Sequence, residues 1–417
     1  MVFPSEIPLA LWIAGFLALY MAWAIGANDV ANAMGTSVGS GALTVWGAIL
    51  VAGIFEFCGA FFAGGHVTDT VRKGMLDLSM IDRDQLIFGM LASLAAAGTL
   101  LVGATRFGLP VSTTHSIVGA IVGFGAVAIG PDAVNWGKIM QIVLSWLTSP
   151  LLAGVIAFFI FQITRSKVLD RADPVAQIRK LGPAFFFFVF FIIGLVTLFK
   201  GLKPLKLDLN FEQALIGSVV LGLVGTGLGI FLIRRVNLGP EDPKHRFSRV
   251  ERIFVVLQIL TACAIAFAHG SNDVANSIGP LAAVAHAVQG MDLGSKAPVE
   301  PWMLAIGGVG IIVGLGTWGY RVMETVGKRI TELTPSRGFA AQLSAATTIV
   351  LASRMGIPIS TTHTLVGAVL GVGLARGIGA LDLRVVGKII VSWVATLPIS
   401  AVLSIFFYYF FRGLLIP

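Results

Sequence analysis

Long apolar runs separated by short polar stretches make up most of the chain. Runs of about 20 residues are long enough to cross a bilayer as helices, and residues 184–198 are apolar on every face, as in lipid-buried helices. A membrane-spanning barrel would instead show alternating segments of about ten residues. The pattern predicts about twelve transmembrane helices, at residues 7–25, 43–64, 85–106, 108–130, 137–164, 184–202, 213–233, 253–269, 303–319, 340–354, 358–380 and 385–411.

The chain also contains an internal duplication. Residues 26–35 recur at 270–279 with seven identical positions, and residues 108–119 recur at 356–367 with eight identical positions. Each copy contains five predicted helices and two more lie between the copies, so the second copy is upside down relative to the first. Inverted repeats with helices interrupted at matching positions are typical of secondary transporters that bind their cargo at the bilayer midplane.

These observations predict an all-α integral membrane protein with broken or re-entrant helices at 108–130 and 358–380. The predicted organisation is a first inverted repeat, a central linker with two transmembrane helices and basic loops, and a second inverted repeat, at residues 1–164, 165–252 and 253–417.

Composition excludes other classes of protein. The 417 residues are 56% hydrophobic and 12% charged, which rules out a soluble globular chain and a disordered one. The net charge of +8 does not imply a nucleic-acid partner, because Lys and Arg concentrate in the loops at 165–183 and 234–252. The positive-inside rule places those loops in the cytoplasm. With twelve crossings, both termini are then expected outside, in a multi-pass cell (inner or plasma) membrane protein.

A Pro-x-Ser-Thr-Thr-His element occurs in both copies. Pro110 and Pro358 mark helix breaks, and the hydroxyl residues that follow are good N-caps for helices starting over 112–114 and 360–362. A helix start inside the membrane offers N–H groups, a positive dipole and hydroxyls that together suit an oxyanion. The alternative is that the hydroxyls only cap a kink. Two copies in inverted repeats favour binding, because both breaks then converge on the symmetry centre.

An Asn-Asp-x-x-Asn element is also duplicated. Asp29 and Asp273 lie at the ends of apolar runs, where a carboxylate is costly and usually pairs with a cation. Carboxylate, amide and freed backbone oxygens suit a hard cation; a helix-end cap in the headgroup layer is the alternative. An oxyanion about 4 Å from these carboxylates would be repelled by about 4 kcal/mol at an effective dielectric near 20. Cation-coupled symport therefore follows as the economical hypothesis.

Four further polar residues are candidates for coupling. Glu56 lies in the middle of an apolar run, where an acid is expected to be functional. His115 and His363 are expected to orient hydrogen bonds, with a proton relay as the alternative. Gln342 is expected to line the cavity. Signatures for a phosphate-binding ATPase loop, a zinc protease and a serine hydrolase are missing, so the chain is not expected to be an enzyme.

The doubled Gly-x-Asn-Asp-Val-Ala-Asn and Pro-x-Ser-x-Thr-His elements, with Thr70-Val-Arg-Lys-Gly74, resemble the PiT family of inorganic phosphate transporters. The resemblance implies phosphate uptake driven by Na+ or H+, about twelve helices in inverted repeats, and a homodimer. It also implies functional importance for Glu56, and it sets Gln342 where animal members have Glu. The implied phosphate ligands are Ser112, Thr113, Thr114, Ser360, Thr361 and Thr362, to which we add Asn28 and Asn272; the implied Na+ ligands are Asp29, Asn32, Asp273 and Asn276.

We therefore expect a phosphate importer that works by symport and alternating access. Na+ is preferred over H+ because the cation ligands are rich in oxygen and not obviously titratable near neutrality. No bound cofactor is expected. The alternatives are a proton-coupled phosphate or sulfate permease of the same family and, from another class, an anion channel. A channel is less favoured because paired helix breaks at mid-depth fit a closed, alternating site better.

Overall fold

The computed structural model describes residues 8–65, 75–200, 209–236, 238, 247–292, 299–354 and 359–415. Regular structure in these residues is helical, apart from one isolated β-bridge between Leu76 and Val134. The helices, numbered in chain order, are α1 (Leu9–Gly39), α2 (Val45–Ala63), α3 (Arg83–Arg106), α4 (Thr113–Phe124), α5 (Trp136–Thr164), α6 (Pro174–Lys200), α7 (Phe211–Arg235), α8 (Ser248–Val288), α9 (Pro301–Trp318), the short α10 (Tyr320–Glu324), α11 (Pro335–Arg354), α12 (Thr361–Arg376) and α13 (Leu383–Leu415).

Each of the twelve predicted apolar segments coincides with one of these helices, α10 being the additional element. Within the described ranges, nine helices are long and apolar enough to cross a membrane; α4, α11 and α12 are not among them. α3 and α8 are largely buried, whereas α7 and α13 expose most of their surface, as expected for helices that face lipid. The chain is therefore an all-helical, multi-pass membrane protein.

The two predicted helix breaks are confirmed. α3 ends at Arg106 and α4 begins at Thr113, while α11 ends at Arg354 and α12 begins at Thr361. The first break contains Gly108, whose positive φ of 65° is available to glycine at little cost and lets the chain leave the helix direction. Pro358 lies outside the described residues. Each break joins two helices that pack against each other as a hairpin.

The five-helix halves contact each other in a reciprocal pattern. α13 packs on the hairpin of α3 and α4, and α5 packs on the hairpin of α11 and α12. Likewise α1 packs on α9, and α2 packs on α8. These four contacts thus form two pairs in which the roles of the halves are exchanged, as a pseudo-twofold axis requires. The division at 1–164, 165–252 and 253–417 stays a prediction, and α8 begins inside the predicted linker.

Glycines of the duplicated motifs stand where α1 and α8 cross their neighbours. A Cβ on Gly26 would collide with the backbone of Ile311, and a Cβ on Gly270 would collide with the backbone of Glu56. Only glycine permits this approach. The matched contacts also identify Ile311 as the structural counterpart of Glu56.

α1 and α8 differ from the prediction in one respect. Both continue as helices through their Asn-Asp motifs to Gly39 and Val288, well past the apolar runs predicted at 7–25 and 253–269. The expectation of freed backbone carbonyls is therefore wrong for the motif of α1, whereas in α8 Pro280 has no N–H to donate to the carbonyl of Asn276. The polar motif residues lie in the helix interior because polar groups from the opposite helices meet them there.

Candidate functional site

The starts of α4 and α12 are capped in the same way. The Ser112 hydroxyl accepts a hydrogen bond from the backbone N–H of His115 at 3.2 Å, and Ser360 accepts one from His363 at 3.2 Å. Both serines have extended backbone conformations, as N-cap residues do. The predicted N-caps are confirmed. All the hydroxyl residues predicted as anion ligands are buried: Ser112, Thr113, Thr114, Ser360, Thr361 and Thr362.

The threonine that follows each cap contacts the aspartate of its own repeat. Thr113 donates its hydroxyl proton to Asp29 Oδ2 at 2.8 Å, and Thr361 donates to Asp273 Oδ2 at 3.0 Å. Both carboxylates are fully buried. The structure therefore brings the two motifs of each repeat into direct contact.

Contacts across the symmetry axis join the two halves. Asn32 donates its side-chain N–H to the Thr362 hydroxyl at 2.8 Å, and Asn276 donates to the Thr113 hydroxyl at 3.3 Å. Thr362 approaches Asp29 Oδ1 at 3.5 Å. The predicted anion ligands Thr113, Thr361 and Thr362 thus join the four predicted cation ligands in one buried cluster, whereas the hydroxyls of Ser112 and Ser360 bond to their own helix starts.

Asn28 and Asn272 occupy less similar positions. Asn28 donates to Thr105 Oγ1 and to the carbonyl of Leu109, and its oxygen accepts from the backbone N–H of Val111. It therefore supports the backbone of the first break. Asn272 instead donates to Asp273 Oδ1 at 2.8 Å. Their assignment as phosphate ligands stays a prediction.

His269 is a central residue that the sequence analysis missed. Its Nε2 lies 2.8 Å from Asp273 Oδ2 and 3.9 Å from Asp29 Oδ2, and its Nδ1 lies 3.2 Å from Glu56 Oε1. All four side chains are buried. Alignment of the repeats offered a signal, because His269 matches Ile25 just as Glu56 matches Ile311. Glu56 lies in the first half and His269 in the second, and each is a polar residue whose repeat counterpart is apolar.

His115 and His363 meet next to the hydroxyl cluster. Their ring centroids are 4.3 Å apart, and each ring lies 3.6 Å from a tryptophan of its own repeat, Trp146 or Trp393. His363 Nδ1 also lies 3.2 Å from the Trp146 carbonyl oxygen, which belongs to the other half. The two histidines link the starts of α4 and α12 to α5 and α13.

Gln342 bridges three helices. It donates to the Ala33 carbonyl and to the Ser37 hydroxyl of α1, at 3.1 and 2.8 Å, and accepts from the Thr261 hydroxyl of α8 at 2.9 Å. With all these partners satisfied, it joins α11 to both helices that carry the aspartates. The segment Thr70–Gly74 lies outside the described residues.

The electrostatics of the cluster favour cations. The ligand atoms of Asp29, His269 and Asp273 all lie within 4.8 Å of one another. Two carboxylate charges at that distance repel by about 3–4 kcal/mol at an effective dielectric near 20. In the part of the chain that the structure describes, His269 is the basic side chain recorded within ion-pair distance of these aspartates. An anion added to this cluster requires further positive charge.

Comparisons with known proteins agree with this arrangement. The model of the phosphate transporter family matches residues 25–404. The Haemophilus influenzae protein named "Putative phosphate permease" is 48% identical over 405 residues, covering 96% of each chain, and a Pyrococcus abyssi protein with that description is 50% identical over 391 residues, covering 93% of this chain and 94% of the relative.

A solved structure described as "The sodium-dependent phosphate transporter" superposes with a TM-score of 0.89 at 40% identity. It covers 98% of this chain and 100% of that structure's chain. The helix pattern, the paired breaks and these matches lead to one conclusion. The chain belongs to the phosphate transporter family.

Proposed function

We propose that this protein imports inorganic phosphate together with Na+ by alternating access. The observation that carries the proposal is the convergence of two capped helix starts and two buried aspartates at one place. The helix starts supply hydroxyls and backbone N–H groups for an oxyanion, and the aspartates supply oxygens for cations. The similar solved structure is described as sodium-dependent, which supports Na+ as the coupling ion.

Coupling follows from the protons of the threonine hydroxyls. A hydroxyl has one proton to donate, and in this structure Thr113 and Thr361 donate theirs to Asp29 and Asp273. Na+ bound to the aspartates competes for the same oxygens and releases the hydroxyls. The released protons then point to phosphate. By linkage, bound phosphate strengthens Na+ binding by the same factor.

The remaining predicted ligands divide between the anion site and the cation sites. Ser112, Thr114, Ser360 and Thr362 complete the anion site at the helix starts, while Asn32 and Asn276 add amide oxygens to the cation sites. In the described part of the chain, Asn32 Oδ1 has no hydrogen-bond partner, which supports its use for a cation. Without mobile cations, the carboxylates repel phosphate by several kcal/mol.

Inverted halves suit alternating access, because rocking one half against the other opens the same central site to either side. We further propose that the protein resides in the cell membrane as a homodimer, with both termini outside. The basic loops at residues 165–183 and 234–252 support this orientation, because loops rich in Lys and Arg lie in the cytoplasm.

Purified protein in liposomes tests the proposal. Labelled phosphate should accumulate inside the liposomes when the Na+ concentration is higher outside. This accumulation should stop when the Na+ gradient is removed. Asp29→Asn and Asp273→Asn should abolish Na+ stimulation, whereas His286→Gln, at a histidine away from the cluster, should leave it unchanged. Equal uptake without any cation gradient would refute symport, and uptake driven only by a proton gradient would replace Na+ with H+. Adding excess sulfate tests whether the site selects phosphate, because sulfate should not reduce the uptake of labelled phosphate.

A further inference from the structure

Asp29, His269 and Asp273 have the composition of a transition-metal site. Each offers one ligand atom, the three atoms lie within 4.8 Å of one another, and all three side chains are buried. Na+ is a hard cation that binds oxygen, so an imidazole nitrogen among the ligands is not explained by Na+ coupling. Imidazole with carboxylates is a ligand set that Zn²⁺ and its neighbours in the first transition row accept.

The second observation concerns hydrogen bonding. Neither ring nitrogen of His269 and neither carboxylate oxygen of Glu56 makes a hydrogen bond of acceptable geometry within the described residues, despite their short ion-pair contacts. Buried polar atoms that converge without bonding one another are costly. A metal ion between His269 Nε2 and the aspartates would satisfy Nε2 and leave Nδ1 to pair with Glu56.

We propose that this pocket binds one divalent transition-metal ion of the Zn²⁺ class, through Asp29, His269 Nε2 and Asp273. Tetrahedral Zn²⁺ with bonds of about 2.0–2.2 Å holds neighbouring ligand atoms about 3.4 Å apart. The Nε2 distances of 2.8 Å to Asp273 and 3.9 Å to Asp29 lie on either side of that value. Drawing the three ligand atoms from within 4.8 Å to about that separation would complete a three-ligand site with one open position.

Glu56 orients the His269 ring. Metal-bound histidines commonly direct their other ring nitrogen at a carboxylate, which fixes the orientation of the ring. Glu56 Oε1 lies 3.2 Å from His269 Nδ1, on the side of the ring away from the aspartates. It is a positioning residue for the metal ligand.

In the part of the chain that the structure describes, the site occurs once although the fold is duplicated. The repeat counterpart of His269 is Ile25 in the first half, and that of Glu56 is Ile311 in the second half; both are fully buried in apolar packing. One metal ion per chain is expected. The inference rests on the proposed function in one respect, which is that Asp29 and Asp273 also hold the coupling Na+. The metal ion therefore competes with Na+ and blocks Na+-driven uptake while it is bound.

Two measurements on the full-length purified protein test the site. The first is Zn²⁺ binding by equilibrium dialysis without phosphate, accompanied by the visible absorption of added Co²⁺. The second is inhibition of Na+-driven phosphate uptake in liposomes by Zn²⁺ at several Na+ concentrations. We expect one Zn²⁺ ion bound per chain and intense visible absorption from Co²⁺, as for a Co²⁺ ion with few ligands. Inhibition of phosphate uptake by Zn²⁺ should weaken as the Na+ concentration rises.

Variants assign the ligands. His269→Gln should weaken Zn²⁺ binding at least about 100-fold, and Glu56→Gln about 10- to 100-fold. His286→Gln removes a buried histidine of the same helix and should leave the Zn²⁺ affinity unchanged. If His269→Gln does not fold, the double variant Glu56→Ile with His269→Ile places isoleucine at both positions, as at the repeat counterparts Ile311 and Ile25, and should fold without binding the metal.

Zn²⁺ binding that survives His269→Gln, or absence of binding to the wild-type protein, would overturn the inference. If Zn²⁺ inhibits uptake equally at all Na+ concentrations, the proposed competition between Zn²⁺ and Na+ for the aspartates is refuted. Dialysis needs no transport, so a protein that binds Zn²⁺ at His269 but moves no phosphate would refute the proposed function and leave the metal site standing.

Discussion

Replacing Thr361 by valine tests whether a hydroxyl proton couples the anion to the cation. Valine keeps the shape of the side chain and removes the group that donates to Asp273 Oδ2 at 3.0 Å. Both residues are buried. A hydrogen bond to a charged group contributes about 1.5–3 kcal/mol, and about 1.4 kcal/mol corresponds to a tenfold change in affinity.

The two ligands should respond in opposite directions. Phosphate loses a donor, so its affinity at saturating Na+ should fall about 10- to 100-fold. Na+ alone no longer competes with the hydroxyl for Asp273, so its affinity without phosphate should rise. The factor by which each ligand strengthens the other should therefore shrink.

Equilibrium binding of labelled phosphate and labelled Na+ to purified protein measures all three quantities. Thr364→Val is the matched control, because Thr364 is buried one turn further along α12 and, among the described residues, its hydroxyl donates to the carbonyl of Ser360, the N-cap of that helix. The reasoning is refuted if both affinities of Thr361→Val fall together, or if the coupling factor equals that of the control.

Three further substitutions test the scaffold of the site by thermal unfolding and uptake. Asn28→Ala removes three hydrogen bonds at the first break; it should destabilise the protein by about 1–3 kcal/mol and reduce uptake, and an unchanged Tm would contradict the support assigned to it. Gly270→Ala places a methyl group against the Glu56 backbone and should lower the Tm, whereas Gly227→Ala, which meets open space on α7, should not; equal effects would refute the crossing argument. Gln342→Leu loses its contacts to α1 and α8 and should slow transport more than it weakens phosphate binding; a pure loss of affinity would instead assign Gln342 to the binding site.

The helical type of the twelve predicted segments followed from the sequence because lipid imposes a simple requirement. Every backbone polar group in the bilayer must be paired within its own segment, so apolar runs of sufficient length form helices whatever their neighbours are. The breaks near Gly108 and before Thr361 were equally local, since proline, glycine and hydroxyl N-caps act within a few residues.

The lengths of α1 and α8 were not predictable in this way. Their polar motifs resemble helix ends when read alone, yet both continue as helices to Gly39 and Val288. The reason is tertiary, because Asp29 and Asp273 are met inside the protein by Thr113 and Thr361. Burial of a carboxylate is tolerated where partners from another helix surround it.

The sequence by itself determined that this protein is a duplicated helical membrane protein with hydroxyl-bearing helix starts and paired acids, since each apolar run and each motif consists of residues close together in the chain and the duplication follows from comparing the motifs. Only the tertiary structure decided that His269 stands between the two aspartates and against Glu56, because those contacts join α1, α2 and α8 across more than 200 positions. Spatial proximity between distant segments depends on packing, and no local pattern of residues encodes it.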